Sequence, residues 1–380
     1  MGKKLMIAYD IQSSDSQKAS TQKLIAALCE ERFPQALLID GPKGIGKKKL
    51  AMQIMQALMC THPEKRPCGN CFGCKLALTP GASENWLIPL TTEETNKKTA
   101  IEISSKSKAE TRESITVSYI EKIFQNPYDI NYLASGAIIN VELIRSLNAR
   151  FSLKENAVRC VIIPEAEKMN IQAANAFLKT LEEVPKNTYF ILTTISRDLL
   201  LATIRSRCSA IRLEHLENDE LKKEFFNATQ KEISPDVLGF ALGSLGRALF
   251  FDELEETLTP VALNMITDSF QKNFSNIIFQ LQDTFLKSQK DSAGLETILI
   301  FLDVLNFILT DITRYQSGVN LRMPIVSSKL PKEILEQMTP PLIQNALLKV
   351  QDTAKKIADK ITSPQIALTA LAIRLFDGER

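Results

Sequence analysis

The fold of this chain is decided by the stretch Asp40-Gly41-Pro42-Lys43-Gly44-Ile45-Gly46-Lys47-Lys48-Lys49. It follows an apolar run at 36–39 and precedes a helix-patterned run at 50–59. A strand, a glycine-rich turn and a helix in this order form the context that a phosphate-binding loop requires. The turn lets backbone N–H groups point at phosphate oxygens, and the helix N-terminus and a lysine add positive charge. We therefore predict a P-loop whose phosphate-binding residues are Gly41, Gly44, Gly46 and Lys47.

One position of this loop departs from the expected pattern. Gly41 to Lys47 fits G-x-x-x-x-G-K, and the next residue should be a Ser or Thr whose hydroxyl holds Mg²⁺. The chain has Lys48 there, and an ammonium group has only donors and repels a cation. The loop has the groups to cradle phosphates but lacks a metal ligand, so a working nucleotide site and a relic of one are both open.

Bulk composition limits the class of protein. The 380 residues predict two or three domains, and the 44% apolar and 24% charged residues are typical of a soluble globular chain. The net charge of +2 gives no overall basic field of the kind that marks a nucleic-acid binder. No run of about 18 apolar residues predicts a membrane span, and the apolar part of the N-terminus is too short for a signal peptide. We therefore expect a cytoplasmic protein that does not enter a membrane.

Four of the seven cysteines lie close together in the sequence, at Cys60, Cys68, Cys71 and Cys74. In a cytosolic chain, cysteines are free thiols or metal ligands rather than disulfides. Two C-x-x-C spacings joined by turn-forming residues suit a tetrahedral thiolate site, in which each sulfur lies about 2.3 Å from Zn²⁺. We predict a structural zinc ion on these four cysteines. The alternatives are free thiols, a redox pair, or His62 as the fourth ligand.

Strand and helix patterns divide the chain into two parts. Apolar runs at 36–39, 159–163, 189–193 and 209–213 alternate with helical patterns, which predicts a parallel sheet covered on both faces. A short strand is predicted at 86–90, and residues 91–139 read as an insertion with a flexible first half. Beyond Glu214 only helical patterns remain, at roughly 216–229, 234–242, 245–256, 260–288, 293–315, 331–337, 340–359 and 364–376.

Three further stretches carry a resemblance to a known family. They are Val161-Ile162-Ile163-Pro164-Glu165-Ala166-Glu167-Lys168-Met169, Ala173-Ala174-Asn175-Ala176-Phe177-Leu178-Lys179-Thr180-Leu181-Glu182-Glu183 and Leu201-Ala202-Thr203-Ile204-Arg205-Ser206-Arg207-Cys208. In this order they resemble the AAA+ subunits of clamp loaders, and in detail the delta-prime subunits of bacterial DNA polymerase III. The cysteine module after the first helix is similar to that of the same family.

The resemblance implies an α/β AAA+ P-loop domain followed by all-helical lid and collar domains. The AAA+ domain would span 1–213, with the zinc module at 60–74 and the insertion at 91–139. A small helical lid would occupy 214–257, and a helical collar that holds an oligomer together would occupy 258–380.

The same resemblance bears on ATP hydrolysis. An ATPase of this class needs one carboxylate on Mg²⁺ and one that polarises the attacking water. The position of the first holds Pro164, which has no ligating side chain, and Glu165 stands at the second. With Lys48, both protein ligands to Mg²⁺ are missing. We therefore expect a degenerate, vestigial phosphate loop without intrinsic ATPase activity, while ATP binding without hydrolysis stays open.

The Ser206-Arg207-Cys208 motif implies a contribution to another subunit's site. In the family this arginine reaches across an interface and stabilises charge on a neighbour's γ-phosphate, which is worth about 10³–10⁵ in rate. A guanidinium suits this task because it is planar, bidentate and always charged. We expect Arg207, with Ser206, to act as an arginine finger in trans. Arg205 is the next candidate, and a plain surface arginine is the alternative.

Two more positions complete the candidate site. Thr193 or Thr194, at the end of a strand, occupies the sensor-1 place, and we assign it to Thr194. The start of a helix at Gly243-Ser244-Leu245-Gly246-Arg247-Ala248 resembles sensor 2, with Arg247 expected to face the nucleotide. In a site without metal ligands, a structural role for these residues is equally open.

The function implied is that of a non-hydrolysing subunit of the DNA polymerase III clamp loader. It would assist ATP-driven loading of the sliding clamp on primed DNA during DNA replication, as part of a nucleotidyltransferase holoenzyme. Its partners would be gamma/tau-like and delta-like subunits in a hetero-pentamer, the sliding clamp, and primer–template DNA through the complex. The alternative is an ATP-hydrolysing motor subunit of the same loader, which would need Ser or Thr at 48 and Asp at 164. A stand-alone zinc-ribbon DNA-binding protein is disfavoured by the near-neutral charge.

Overall fold

The computed structural model describes most of the chain, in ranges with gaps between them. The described residues are 8–9, 21–22, 24, 27–28, 32–62, 65–96, 111–131, 133, 136–151, 158–286, 292–322, 325–358 and 361–377. They fall into two compact units. The first runs to Glu220 and includes Gly243–Gly246, and the second comprises Leu221–Leu242 and the residues from Arg247 onward.

The first unit is built around a four-stranded parallel sheet. In chain order its strands are β2 (Ala36–Asp40), β4 (Arg159–Ile163), β5 (Thr188–Thr194) and β6 (Ser209–Arg212), and their spatial order is β4-β5-β2-β6. All three neighbouring pairs are parallel. Every residue of β2 is buried, at odd and even positions alike, so both faces are covered at the centre of the sheet. The predicted α/β class is confirmed.

The helices of the first unit follow the strands in sequence. They are α1 (Lys47–Met59), α2 (Phe72–Ala77), α3 (Thr92–Thr95), α4 (Arg112–Gln125), α5 (Val141–Phe151), α6 (Ile171–Glu182) and α7 (Ala202–Arg205). A second, two-stranded pairing joins β1 (Ala8–Tyr9) to β3 (Lys65–Arg66). Residues 21, 22, 24, 27 and 28 are helical.

The predicted strand at 86–90 forms only isolated bridges. Trp86 forms a bridge with Ile162 of β4, and Leu90 forms a bridge with Ile138. The insertion that follows contains α3 and α4. Its first half was predicted to be flexible, but α3 lies in it, and residues 97–110 lie outside the described residues.

The phosphate loop lies where the fold predicts a ligand. It leaves the carboxyl end of β2, the strand that pairs with both β5 and β6. In open parallel sheets, ligands bind outside the carboxyl ends of the strands. The loop, the end of β4 and the end of β5 therefore meet at one edge of the sheet.

Within its described residues, the second unit contains helices and no strand. Its helices are α8 (Asn218–Thr229, which starts in the first unit), α9 (Pro235–Ala241), α10 (Leu245–Gln271), α11 (Phe274–Leu281), α12 (Ser292–Gln316), α13 (Ile325–Lys329), α14 (Lys332–Gln337), α15 (Pro340–Ala358) and α16 (Pro364–Arg374). Its core includes the stacked rings of Phe240 and Phe251, whose centroids lie 4.1 Å apart, and α12 packs against α15.

One helix boundary in the second unit differs from the prediction. Two helices were expected, at 245–256 and 260–288, because proline removes a backbone donor and disfavours a helix interior. Instead α10 runs through Pro260 without a break and ends at Gln271. Pro260 is exposed, while Leu258 and Leu263 on either side are buried. Burial of the flanking leucines favours a continuous helix at this point.

Among the described residues, no helix is both long enough and apolar enough to cross a membrane.

Candidate functional site

The backbone of the phosphate loop has the conformation that its glycines permit. Gly44 and Gly46 have φ values of 72° and 105°, in the left-handed region that other residues avoid. A Cβ on Gly44 would lie 2.7 Å from the Ser244 hydroxyl oxygen, which adds a steric reason for glycine. The loop then enters α1 at Lys47, so the strand, turn and helix of the motif are all present.

Lys47 is folded back onto the loop itself. Its Nζ donates to the backbone carbonyls of Gly41 and Pro42, at 2.6 Å each. Burial lowers the pKa of Lys47 to about 8, and the nearby carboxylate of Glu167 opposes this shift. The Lys47 ammonium group, which would bind a phosphate, is therefore hydrogen-bonded to carbonyl oxygens of its own loop.

Lys48 stands at the position of the missing metal ligand and is also bonded within the protein. Its Nζ donates to the backbone carbonyl of Asp129 at 2.6 Å. Burial lowers the pKa of Lys48 to about 8, against the raising effect of Glu165 and Asp129. A positive charge therefore occupies the place where the motif requires a hydroxyl to hold Mg²⁺.

The end of β4 carries two carboxylates beside these lysines. Glu165 follows Pro164 with φ 49°, and its N–H donates to the Thr193 hydroxyl at 3.3 Å. Glu167 accepts from the backbone N–H of Ile195 at 3.4 Å, and its charge is the largest that opposes the lowered pKa of Lys47. Sequence reasoning singled out Glu165 and missed Glu167, whose signal was its place two residues further along the same turn.

Thr194, the predicted sensor-1 residue, lies fully buried beside the loop. Its hydroxyl donates to the carbonyl of Ser196 at 3.0 Å, and its own carbonyl accepts from the N–H of Gly41 at 3.2 Å. Thr194 thus joins β5 to the start of the phosphate loop through its backbone.

The predicted sensor-2 stretch is divided between the two units. Ser244 donates from its hydroxyl to the Lys43 carbonyl at 2.7 Å, and the Gly246 N–H donates to the Gly44 carbonyl at 2.9 Å. Arg247 belongs to the second unit, where its guanidinium lies 4.7 Å from the ring centroid of Phe240. Burial lowers the pKa of Arg247. Its predicted role toward a nucleotide remains a prediction.

A segment that sequence reasoning did not assign also contacts the loop. Residues 126–131 follow α4, and the Tyr128 hydroxyl accepts from Lys49 Nζ at 3.0 Å. A Cβ on Gly46 would lie 3.2 Å from the Tyr128 ring. The only signal in the sequence was the Asn126-Pro127 turn, which indicates a break but not a contact with a loop about 80 residues earlier.

The four predicted metal ligands come together in one cluster. The sulfur atoms of Cys60, Cys68, Cys71 and Cys74 all lie within 4.8 Å of one another. The Cys68–Cys74 and Cys60–Cys71 sulfurs are 3.9 and 3.8 Å apart. Four thiolates placed tetrahedrally around a metal at about 2.3 Å would lie about 3.8 Å from one another. The cluster has the geometry to hold a metal ion.

Backbone N–H groups stabilise the thiolate form in this cluster. The N–H of Cys68 points to the Cys60 sulfur, that of Cys71 to the Cys68 sulfur and that of Cys74 to the Cys71 sulfur, at 3.4 Å each. Backbone donors lower the pKa of Cys71 to about 5, and burial raises the pKa of Cys74 to about 12. His62 is exposed and outside the cluster, so the described residues do not support it as a ligand.

The predicted arginine finger lies at the surface of the first unit. Arg207 Nη2 is 2.7 Å from the Glu182 carboxylate, and Nη1 donates to the Thr203 carbonyl at 3.0 Å. Ser206 is exposed and donates from its hydroxyl to the same carbonyl at 3.1 Å. Arg205, the second candidate, is paired with Asp198 at 2.6 Å. The hydrogen bonds and ion pairs of these three side chains are made to Glu182, Thr203 and Asp198. Ser206 and Arg207 are exposed and Arg205 is half-buried.

Comparisons with known proteins indicate the family. The model described as DNA polymerase III, delta subunit matches residues 16–217. The delta' subunit of DNA polymerase III from Haemophilus influenzae is 27% identical over 56% of this chain and 53% of its own length. The delta' subunit from Bacillus subtilis is 22% identical over 92% of this chain and 93% of its own length. The chain thus spans about half the length of the Haemophilus relative but nearly all of the Bacillus one.

A solved structure described as a DNA polymerase III gamma subunit-related protein from Thermotoga maritima covers 93% of this chain and 98% of its own. The identity is 15% and the TM-score is 0.43, a similarity too low to support a conclusion.

Proposed function

This chain belongs to the DNA polymerase III delta subunit family, and the relatives from Haemophilus influenzae and Bacillus subtilis described above are delta-prime subunits. We propose that it is a non-hydrolysing subunit of a clamp loader. It assists ATP-driven loading of the sliding clamp on primed DNA and contributes an arginine to a neighbouring subunit's ATP. Its partners are gamma/tau-like and delta-like subunits, in a hetero-pentamer that also engages the sliding clamp and primer–template DNA. The proposal places the chain in the cytoplasm, where DNA is replicated.

The observation that carries the non-hydrolysing role is the position of Lys48. Its ammonium group, bonded to the Asp129 carbonyl, stands where a hydroxyl would bind Mg²⁺. Pro164 removes the second metal ligand. Phosphoryl transfer depends on a metal ion to neutralise charge on the β- and γ-phosphates. Two missing ligands and an added positive charge together disfavour hydrolysis at this chain's own loop.

The exposed surface near Arg207 supports a contribution in trans. Leu199 and Leu201 lie within eight residues of Arg207 and are 57% and 36% exposed. Exposed apolar side chains beside a charged group are typical of protein interfaces. The guanidinium is paired with Glu182 and donates to the Thr203 carbonyl, and the Arg207 side chain is 35% exposed, which would let it reach a neighbouring subunit.

The cysteine cluster supports a structural zinc ion. Four thiolates without a histidine or carboxylate form the closed ligand set of structural rather than catalytic zinc sites. The ion would hold the turn at 67–71 to the end of α1, because Cys60 directly follows α1 and Cys74 lies in α2. We further propose that the helical part comprises a lid at 214–257 and an oligomerising collar at 258–380.

The test is reconstitution of the loader with Arg207→Ala. We expect assembly to be unchanged and the clamp- and DNA-stimulated ATPase to be lost, because a trans arginine finger is worth about 10³–10⁵ in rate. Arg197→Ala is the control, because Arg197 is an exposed arginine of the same unit and should leave the ATPase unchanged, while Arg205→Ala tests the second candidate. Full ATPase in the Arg207→Ala complex would contradict the finger.

The alternative, an ATP-hydrolysing motor subunit, is tested on the isolated chain. Mg²⁺-dependent ATP turnover by the purified protein would favour that alternative. We expect no ATP turnover by the purified chain alone, and normal ATPase activity once the chain is assembled into the loader.

A further inference from the structure

Residues 126–131, which we call the covering segment, lie directly against the phosphate loop. Three residues of the loop and the first turn of α1 meet it: the Tyr128 ring faces Gly46, Lys48 donates to the Asp129 carbonyl at 2.6 Å, and Lys49 donates to the Tyr128 hydroxyl at 3.0 Å. Lys49 Nζ also lies 5.5 Å from the centre of the Tyr128 ring. The Asp129 carbonyl and the Tyr128 hydroxyl thus accept from the ammonium groups of Lys48 and Lys49 in the first turn of α1.

The covering segment also fills the space on the other side of the loop. A Cβ on Gly44 would lie 3.0 Å from Ile130 Cγ2, and a Cβ on Gly246 would lie 2.2 Å from the Tyr128 carbonyl oxygen. Contacts this short show that Ile130 packs closely against Gly44 and Tyr128 against Gly246.

The covering segment is ordered by its own hydrogen bonds. The Asn126 side-chain oxygen accepts from the Tyr128 N–H at 3.0 Å, and the Asp129 carboxylate accepts from the Asn131 N–H at 2.8 Å. Such side-chain turns fix a short stretch of backbone without a helix or a strand. These hydrogen bonds therefore fix the backbone of the segment independently of its contacts with the loop.

The helix before the covering segment anchors it to the first unit. Ile120 and Ile123 of α4 are fully buried, and the ring of Phe124 meets Trp86 edge to face at a centroid distance of 5.9 Å. The Asn126 N–H still donates to the Lys122 carbonyl at 2.9 Å. Displacing the segment would require it to move against this packed helix.

We propose that the covering segment is a resident occupant of the phosphate loop, held in the place of a nucleotide. Tyr128 fills the space beside Gly46, and the Asp129 carbonyl holds the Lys48 ammonium group at the position of the missing metal ligand. This inference deepens the non-hydrolysing role proposed above, and rests on it only in taking residues 41–48 as the nucleotide site. Restoring the metal ligands at 48 and 164 would then not be enough to restore nucleotide binding.

The experiment uses the full-length chain and a fluorescent ATP analogue with Mg²⁺. A repaired variant carries Lys48→Thr and Pro164→Asp, and an opened variant adds Tyr128→Ala. If the segment leaves the loop open in one molecule in ten or fewer, the opened variant should bind at least about ten-fold more tightly than the repaired one. Tyr128→Phe in the repaired background keeps the ring and is the matched control, with binding like that of the repaired variant.

Two outcomes would overturn the proposal: equal affinity of the repaired and opened variants, or no binding by the opened variant. Melting temperature and metal content identify any variant that has lost its fold. Hydrogen exchange of residues 126–131 in the unmodified chain provides a measurement without mutation. We expect slow exchange that is unchanged by MgATP, and rapid exchange of these amides in the folded chain would also contradict the proposal. Because none of these measurements uses the assembled loader, failure here leaves the proposed role of Arg207 untouched.

Discussion

The guanidinium of Arg207 and the carboxylate of Glu182 form an ion pair in which Nη2 and Oε1 are 2.7 Å apart. Glu182 is the last residue of α6, and Arg207 follows α7, so the pair joins two of the three stretches that carry the family resemblance. Its side chains are 50% and 35% exposed, which leaves the pair accessible to water and to a partner. The pairing gives Glu182, which the sequence does not single out, a specific neighbour.

Replacing Glu182 by glutamine should release Arg207 without harming the fold. Exposed ion pairs contribute only about 0.2–1 kcal/mol, so the unfolding free energy should change by no more than that. If Arg207 must leave Glu182 to reach a neighbour's phosphate, the reconstituted loader should hydrolyse ATP up to about five-fold faster. The adjacent exposed residue supplies the control Glu183→Gln. A ten-fold fall in rate would show instead that Glu182 positions the arginine.

The cysteine cluster makes a prediction about metal content. Cys71→Ser should lower zinc from about one ion per chain to a small fraction of that, because a closed thiolate site loses a quarter of its ligands. Since metal binding and folding of such modules are coupled, the melting temperature should fall as well. Cys208→Ser is the control, because Cys208 lies outside the cluster. Metal content can be measured by plasma mass spectrometry, and an unchanged value in Cys71→Ser would exclude these four cysteines as the ligand set.

Gly73 tests how closely the cysteine module packs on α1. Gly→Ala inside a helix normally stabilises by about 1 kcal/mol. At Gly73 a Cβ would lie only 1.8 Å from the Met59 carbonyl oxygen, so we expect the sign to reverse, with a loss of about 1–3 kcal/mol.

The matched control is Gly81→Ala, where the nearest atom to the new Cβ is a Thr79 methyl carbon at 3.9 Å. Urea unfolding of both variants, with zinc content measured in parallel, checks the comparison. Equal stabilities would mean that α2 can shift away from Met59 at little cost.

The parts of the fold that the sequence predicted are those with a strong periodic signal. β2 and β4 were predicted within one residue because continuous apolar runs bounded by turns have few alternatives. The cysteine cluster was predictable because its spacing alone limits the possible geometry. Local patterns were sufficient in both cases.

The contacts that close the phosphate loop could not be predicted in the same way. Tyr128 and Asp129 lie in a polar turn without periodicity, and the groups they meet are about 80 residues away in sequence. Glu167 was missed because the family motif singles out Glu165. In the folded chain, however, the charge of Glu167 raises the pKa of Lys47 more than that of Glu165 does. The contacts of Tyr128 and Asp129 depend on where α4 places the turn that follows it, which no local pattern in the sequence specifies.

The lowered pKa of Lys48 predicts how stability depends on pH. The pKa falls from 10.5 to about 8 in the folded chain, chiefly because burial penalises the charged form, while Glu165 and Asp129 oppose the shift and Lys43 adds to it. Between these two values the unfolded chain holds a proton that the folded chain has released, so raising the pH favours the folded state. The contribution is complete above about pH 10.5 and is lost as the pH falls to about 8.

Comparison with Lys48→Met isolates this contribution from other groups that titrate at high pH. The unfolding free energy of the unmodified chain should rise relative to the variant between about pH 8 and pH 10.5, by no more than about 3 kcal/mol at 1.36 kcal/mol per pKa unit. Lys186→Met removes an exposed lysine of the same unit and should show no such difference. Chemical unfolding at a series of pH values measures all three proteins. Parallel curves for the unmodified chain and Lys48→Met would mean that the ammonium is solvated, and that the covering segment does not bury it.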